Sequence, residues 1–470
     1  MPDATTRPRL APSGAPRPPV RMIHLGPGAF ARAFVVPWVE QAGGWGITGI
    51  SLRAAATRDA LRCQDYVYTA VETGPDGAIP RQIEALRDIL VAPEDSAAVL
   101  AAMADPDIRI VSLTITEKGY CHDPATGRLN PGHPDIVHDI ASDLPRSAPG
   151  VLVCALALRR AAGTPPFTVL SCDNLPGNGA VTRGVVLAFA RLVDPALADW
   201  IAAEVRFPST MIDRIVPATT PDDVDQISAL LDGQDESPIK HEPFRQWVIE
   251  DDFPTGRPDL ARHGVQMVAD VAPFEAMKLR MLNGTHSALA YLGYLAGHMT
   301  VADAVADPAL AHFIRHLWHH EIIPTLTAPP DTSLPDYADA LMTRFANPAI
   351  RHSTWQIAMD GSQKLPQRIL GTLADRRDAG HDAPGLMLVV AGWMRYVSGM
   401  DEGGQAIDVR DPMADRLRAL ARADDPVAAL LSVEDIFDPA LAARIAAPLR
   451  AIHADLLQHG ARAMARRIAT

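Results

Sequence analysis

Lys278, Asn283 and His286 stand close together in the run 273–293, among residues that are otherwise mostly apolar. An amine, a carboxamide and an imidazole are the parts of a proton-transfer site. A lysine stripped of water has its ammonium pKa lowered toward neutrality, and can then exchange a proton with a substrate oxygen. Asn283 and His286 would hold that oxygen by hydrogen bonds. The same residues also suit a lysine stretched along apolar surface beside two satisfied core polar groups, and spacing alone does not separate the two readings.

Their positioning falls to a helix. Pro273 fits a first helical turn and the residues after it are rich in Ala, Leu and Met, which predicts a helix of about six turns ending near Gly297. At about 100° per residue the three polar groups share an arc of roughly 140°. Met277, Leu279, Met281, Leu282, Leu289 and Leu292 surround the helix on most sides, as in a segment buried between domains.

A second constellation lies near the start of the chain. Residues 21–25 form an expected buried strand that runs straight into Gly26-Pro27-Gly28-Ala29-Phe30-Ala31-Arg32, with a helical pattern over 35–41. Strand, glycine turn and helix is the arrangement in which backbone N–H groups at a helix start receive a dinucleotide pyrophosphate. Gly26 and Gly28 match the first two glycines of that fingerprint, and Ala31 stands at the third. A strand expected at 46–52 leads to Arg53 and Arg58, where such sites usually carry an acid for the ribose; either arginine would instead meet a 2′-phosphate, or simply be solvated.

Ligands of open α/β sheets gather at the carboxyl ends of strands. The expected strand 108–116 ends in Glu117 and Lys118, and the strand 167–172 ends in Asp173 and Asn174. Asn174 is thus a second oxyanion donor or, with Asp173, a turn and helix-cap residue. Residues 210–217 form a compact apolar and charged unit in which Asp213 either pairs with Arg214 or positions Lys278 or a substrate hydroxyl. The polar stretch 226–243 is expected to be an excursion, and 242–253 and 265–271 to be strands. From about 273 onward the pattern turns helical. Within that half, Lys364 and Arg368 follow a helix break at Asp360-Gly361-Ser362, and are candidate anion clamps or solvated bases.

Composition narrows the function classes. With 470 residues the chain can hold two or three domains with real cores. A net charge of −13 without any basic block argues against a nucleic-acid or membrane-surface partner. Residues 1–20, rich in Pro, Arg and Ala, lack the apolar run of a secretory signal, and no later run reaches transmembrane length, so a cytoplasmic enzyme is expected. The cysteines at 63, 121, 154 and 172 stand singly, without Cys-x-x-Cys spacing, so neither a metal site nor a disulfide framework is expected.

Four blocks, Gly26-x-Gly28-x-Phe30-x-Arg32, Thr114-x-Thr116-Glu117, Ser171-Cys172-Asp173-Asn174 and Lys278-x-Arg280-x-Leu282-Asn283-x-x-His286, occur in this order. Over residues 23–412 the chain carrying them resembles the polyol-specific long-chain dehydrogenases, the mannitol dehydrogenase family. The wording around Lys118, 242–250 and 359–366 is nearer the fructuronate reductase (D-mannonate oxidoreductase) branch than the mannitol branch, which tends to have Gly in place of Lys118 and an Arg near Gln356.

The resemblance implies an α/β protein: a flexible tail over 1–20, a Rossmann-type dinucleotide-binding domain over 21–271, and a mainly α-helical domain over 272–470, with the site in the cleft between the two domains. It implies a metal-independent nicotinamide dehydrogenase using NAD, with NADP left open, as a monomer or weak homodimer. Lys278 would be the acid/base, Asn174 and Asn283 the oxyanion hole, His286 a substrate-orienting group, and Glu117 a residue near the proton path. Gly26, Gly28, Phe30, Arg32 and Arg53 would face the cofactor, and Asp213 and Lys364 the substrate's hydroxyl chain. Lys118, or Lys364 with Arg368, would neutralise a sugar-acid carboxylate, giving reduction of D-fructuronate to D-mannonate. The alternatives are oxidation of mannitol, arabinitol or another neutral polyol, a catalytically silent sugar-binding protein, and a Schiff-base aldolase built on Lys278.

Overall fold

The computed structural model describes residues 7–74, 77–123, 126–231, 233–350 and 352–469. The chain divides into two compact units, Met1–Ala272 and Pro273–Thr470. The strands of the first unit are β1 (Val20–Leu25), β2 (Gly46–Ser51), β3 (Tyr68–Gly74), β4 (Gly77–Ile83), β5 (Leu86–Val91), β6 (Ile110–Leu113), β7 (Thr168–Ser171), β8 (Thr210–Asp213), β9 (Ile239–His241), β10 (Gln246–Glu250) and β11 (Gln266–Val268).

Five of them form a parallel sheet in the order β5-β2-β1-β6-β7. β6 and β7 are buried at every position, as strands covered on both faces must be. Successive side chains of β1 divide between two cores: Ile23 and Leu25 pack with Val111, Leu113 and Val169 on one side, and Met22 packs with Ile110, Leu170 and Phe34 on the other. The order in which strands are added across the sheet reverses between β1 and β6, parallel neighbours although β2 to β5 intervene in sequence. This is the switch point at which open α/β sheets leave a crevice.

Two smaller sheets, β11-β10-β8 and β4-β3-β9, complete the unit. β3, β4 and β5 occupy 68–91, where no strand was expected. The stretch 226–243 is not a mere excursion either. It continues the helix Pro221–Leu231 and supplies β9, which pairs in parallel with β3. A three-residue strand centred on Lys240 has too short a pattern to be read locally, and its partner lies in a distant part of the chain. Of the expected loose tail, residues 1–6 lie outside the described residues. From there on the chain is tied down: Leu10 N–H donates to the Gln234 carbonyl at 2.9 Å, and the Arg17 guanidinium donates to the carbonyls of Glu84 (2.9 Å) and Leu86 (2.6 Å).

The second unit is helical. The helix Pro384–Val397 is buried along most of its length, and the late helices Pro439–His459 and Ala461–Ala469 pack against it. Those two helices therefore cover their own unit. Among the described residues no helix is long and apolar enough to cross a membrane.

Candidate active site

In the first unit the site is built at the carboxyl edge of the parallel sheet. Gly26 follows β1 with φ +85°, a conformation side chains rarely adopt, and a Cβ there would lie 2.3 Å from the Thr114 carbonyl oxygen. Only glycine lets the tip of β1 pass so close to β6. Thr114 Oγ1 donates back to the Gly26 carbonyl at 2.8 Å. Beneath the turn His24 is fully buried, with Nδ1 2.7 Å from Ser112 Oγ and Nε2 2.8 Å from Thr114 Oγ1, and burial pushes its pKa down to about 4. The imidazole is a neutral strut under the loop.

Gly28 differs from Gly26. Its φ is −75°, and the nearest atom to a Cβ would be the Gly26 carbonyl oxygen at 3.9 Å. It caps the helix Ala29–Ala33 without a side-chain hydrogen bond to the first turn. An open approach over backbone N–H groups is what a pyrophosphate needs, so the residues fit a dinucleotide here. Phe30 stacks on Phe34, with ring centroids 5.2 Å apart.

The two arginines expected near the cofactor have other partners. Arg32 is buried, donates to the carbonyl (2.7 Å) and hydroxyl (2.9 Å) of Ser237, and lies over the Tyr68 ring. Its guanidinium thereby braces the 237 segment. Arg53 is exposed at the end of β2 and donates to Asp135 at 2.5 Å. Asp135 also lies within 4.8 Å of ligand atoms of Cys121 and His133, a trio that cysteine spacing did not reveal. With Arg53 already on Asp135, that carboxylate is neutralised by a guanidinium. Arg58 pairs with Asp59 and Glu94.

Asp173, at the end of β7, shapes the neighbouring strand tip. Its carboxylate accepts from Ile115 N–H (3.0 Å), Thr116 N–H (2.9 Å) and the Tyr120 hydroxyl (2.7 Å). Burial raises its pKa against these hydrogen bonds. The clamp holds Thr116 at φ +62° and so sets the turn Glu117–Tyr120, whose Glu117 and Lys118 are exposed while Tyr120 is buried. Asn174 is exposed beside it. Asn178 ties the same tip to β8 through the Asp173 carbonyl (3.0 Å) and the Thr210 carbonyl (2.9 Å). Asp213 ends β8, buried at 4% exposure.

In the second unit the helix carrying Lys278 starts at Ala272 and gives way to a turn at Gly297, near the expected end, but it is not a uniform α-helix. Lys278–Asn283 and Leu289–Gly293 are π-helical, interrupting α-helical turns Ala272–Met277 and Gly284–Ala288. A π turn closes from i to i+5, so each stretch takes in an extra residue and shifts the face that later residues present. The arc expected for a straight α-helix therefore does not describe the real spacing. The Trp318 indole N–H meets this irregularity, donating to the Met281 carbonyl (3.1 Å) and Thr285 Oγ1 (2.7 Å). Gly284 allows a close crossing, since a Cβ there would lie 2.9 Å from the Arg368 carbonyl oxygen.

Lys278 is half-buried, and Asn283 and His286 are buried. His286 packs against Phe345 and, edge to face, against His352, both with ring centroids 5.0 Å away. Its Nε2 is buried with no hydrogen-bond partner among the described residues, and the same holds for Nδ1 of His352. Burial first, then His352, Arg368, Arg344 and Lys278, push the His286 pKa well below its ordinary value. His352 falls to about 4 through burial, Arg368 and Lys364. The fold thus gathers Lys278, His286 and Arg368, expected from sequence, around two residues that were not, His352 and Arg344. Lys364 turns back on its own loop, donating to the Met359 carbonyl at 2.6 Å. Asp360 breaks the helix there in the left-handed region, at φ +55°.

Residues 20–262 match the mannitol dehydrogenase Rossmann domain and residues 270–453 the mannitol dehydrogenase C-terminal domain. The chain is 50% identical over 428 residues to the uncharacterized oxidoreductase YeiQ of Escherichia coli, covering 89% of this chain and 88% of that one. It is 46% identical to the D-mannonate oxidoreductase of Escherichia coli, covering 94% of each chain. Among solved structures it is similar to a Pseudomonas fluorescens mannitol 2-dehydrogenase in ternary complex with NAD and D-mannitol, with TM-score 0.87, 38% identity, and coverage of 98% of this chain and 96% of that one.

Proposed function

We infer that this chain, which belongs to the mannitol dehydrogenase family, is an NAD-dependent oxidoreductase that interconverts the ketone and secondary alcohol of a sugar acid, reducing D-fructuronate to D-mannonate. The observation that carries the sugar-acid reading is the surroundings of His286: a buried imidazole nitrogen without a partner among the described residues, within the field of Lys278, Arg344 and Arg368. Cations gathered about an unsatisfied polar atom suit a ligand bearing both hydroxyls and a carboxylate. The 46% identity to a D-mannonate oxidoreductase supports it.

In this reading Gly28 and the N–H groups of the following turn hold the pyrophosphate. When bound, the nicotinamide gives or takes the hydride at the substrate carbon. Lys278 handles the proton: as ammonium it protonates the nascent alkoxide, and as neutral amine it takes the proton when the alcohol is oxidised. The carboxamides of Asn174 and Asn283 donate hydrogen bonds to that oxygen as its charge develops. His286 orients the chain of hydroxyls, Asp213 and Lys364 touch it, and Glu117, exposed at its strand tip, exchanges the proton with solvent.

A neutral polyol is the second reading, favoured by the likeness to the mannitol 2-dehydrogenase structure. NADH absorbance with D-fructuronate and with D-fructose at equal concentration separates the two, and a repeat with NADPH tests the cofactor. A large kcat/KM advantage for fructuronate is expected. A preference for fructose would overturn the sugar-acid reading and leave the redox chemistry standing. Replacing Lys118 by glycine should erode the preference for the acid; an unchanged ratio would remove Lys118 from substrate recognition.

A further inference from the structure

The first unit holds a pocket of about 100 Å³ that no residue of the glycine turn or of the β6 and β7 tips lines. One face of the β3–β4 pair supplies Glu72 and Arg81, and Gln41, Arg214, His241 and Arg245 close it from other elements. Arg214 follows Asp213 directly, but Asp213 is not among the lining residues, and successive side chains near a strand end point to opposite sides.

Three guanidiniums thus converge with one carboxylate in a chain whose net charge is −13. Their hydrogen bonds go to neutral oxygens. Arg214, 8% exposed, donates to the carbonyls of Ala33 (2.7 Å) and Glu242 (3.2 Å). Arg245 donates to Gln41 Oε1 at 2.9 Å and lies 3.6 Å over the Trp38 ring. Among the described residues, Arg81, Arg214 and Arg245 form no ion pair with a carboxylate. Glu72 and Glu242 act on Arg214 from beyond ion-pair distance, and guanidiniums taken out of water in excess of carboxylates are unfavourable unless something supplies the missing counter-charge. Burial and then Arg245 lower the Arg214 pKa to about 10 against the opposing fields of Glu72 and Glu242, and burial, Arg214, Arg245 and Arg81 push His241 down to about 4.

We propose that this pocket is a binding site for a small oxyanion, a phosphate or carboxylate group, received by the forks of Arg81, Arg214 and Arg245 apart from the reaction centre. The site is independent of which sugar the enzyme turns over. The test is calorimetric titration of the full-length protein, saturated with NADH so that the pyrophosphate site is filled, with sodium phosphate and separately with sodium malonate. Sodium chloride holds the ionic strength constant. Saturable binding of at least one oxyanion is expected, and whichever binds names the ligand chemistry. In Arg81→Gln, altered at an exposed residue of the pocket, and in Arg245→Gln, that binding should weaken about tenfold or more, the loss of a charge-assisted hydrogen bond. No saturable binding of either anion, or binding unchanged in both variants, would overturn the proposal.

Discussion

Replacing Gly26 by alanine and, separately, Gly28 by alanine should split folding from cofactor binding. At Gly26 a methyl group meets the Thr114 carbonyl oxygen at 2.3 Å, where Cβ contacts essentially never fall below 3.0 Å, so β1 and β6 must part by at least 0.7 Å. That separation works against the sheet bond from Thr114 N–H to the Leu25 carbonyl at 2.9 Å. Forcing alanine to φ +85° adds about 1–3 kcal/mol of backbone strain, and overpacking of this kind typically adds about 1–3 kcal/mol more. A loss near 4 kcal/mol corresponds to a fall in Tm of about 8–16 °C.

At Gly28 the backbone suits any residue and nothing crowds the Cβ, so the stability change should stay within about 0.5 kcal/mol. The methyl group would nonetheless stand over the N–H groups that meet the pyrophosphate, weakening NADH binding about ten- to a hundredfold as charge-assisted hydrogen bonds are lost. Differential scanning calorimetry gives the first quantity and NADH fluorescence titration the second. A wild-type Tm in Gly26→Ala, or wild-type NADH affinity in Gly28→Ala, would refute this account of the turn.

Other perturbations reach other parts of the structure. Lys278→Met should fold normally and bind NADH while kcat falls about 10²- to 10⁴-fold, as loss of a general acid/base does; a kcat within a factor of a few of wild type would take the proton step away from Lys278. Gly284→Ala brings a methyl group 2.9 Å from the Arg368 carbonyl oxygen and should lower stability by about 1–3 kcal/mol in a denaturant titration, with an unchanged midpoint counting against the close crossing. His24 titrates near pH 4 when folded against 6.5 ordinarily, so the unfolded chain binds the extra proton. Its stabilising effect is full above pH 6.5 and declines toward pH 4, by up to about 3 kcal/mol. His24→Gln should flatten the pH dependence of stability in that window, and a slope equal to wild type would place the acid sensitivity elsewhere.

The features readable from the chain were those that depend on near neighbours in sequence. Gly26 and Gly28 follow a buried strand and precede a helix, Glu117 and Asn174 follow apolar runs that end in turns, and Lys278, Asn283 and His286 share one helical segment. Each is a short-range pattern, and the physics that favours a turn or a helix acts over the same few residues. Strands β5 and β9 escaped because each is held by pairing with a distant segment, β5 with β2 and β9 with β3, and β9 is only three residues long, whereas β3 and β4 pair locally as a hairpin closed between Gly74 and Gly77.

Only the tertiary structure decided how the site is supported. Asp173 looked like a turn residue, and folding makes it the acceptor that sets the Glu117 turn. Trp318 and the crossing at Arg368 meet the Lys278 helix at its irregular turns, and no pattern within 273–293 records those partners. His286 is surrounded by His352, Arg344 and Arg368 from segments far downstream. The sequence determined which chemical groups are available and on which local elements they ride. The packing of remote segments determined their desolvation and their electrostatic neighbours, because burial and charge proximity are properties of three-dimensional distance.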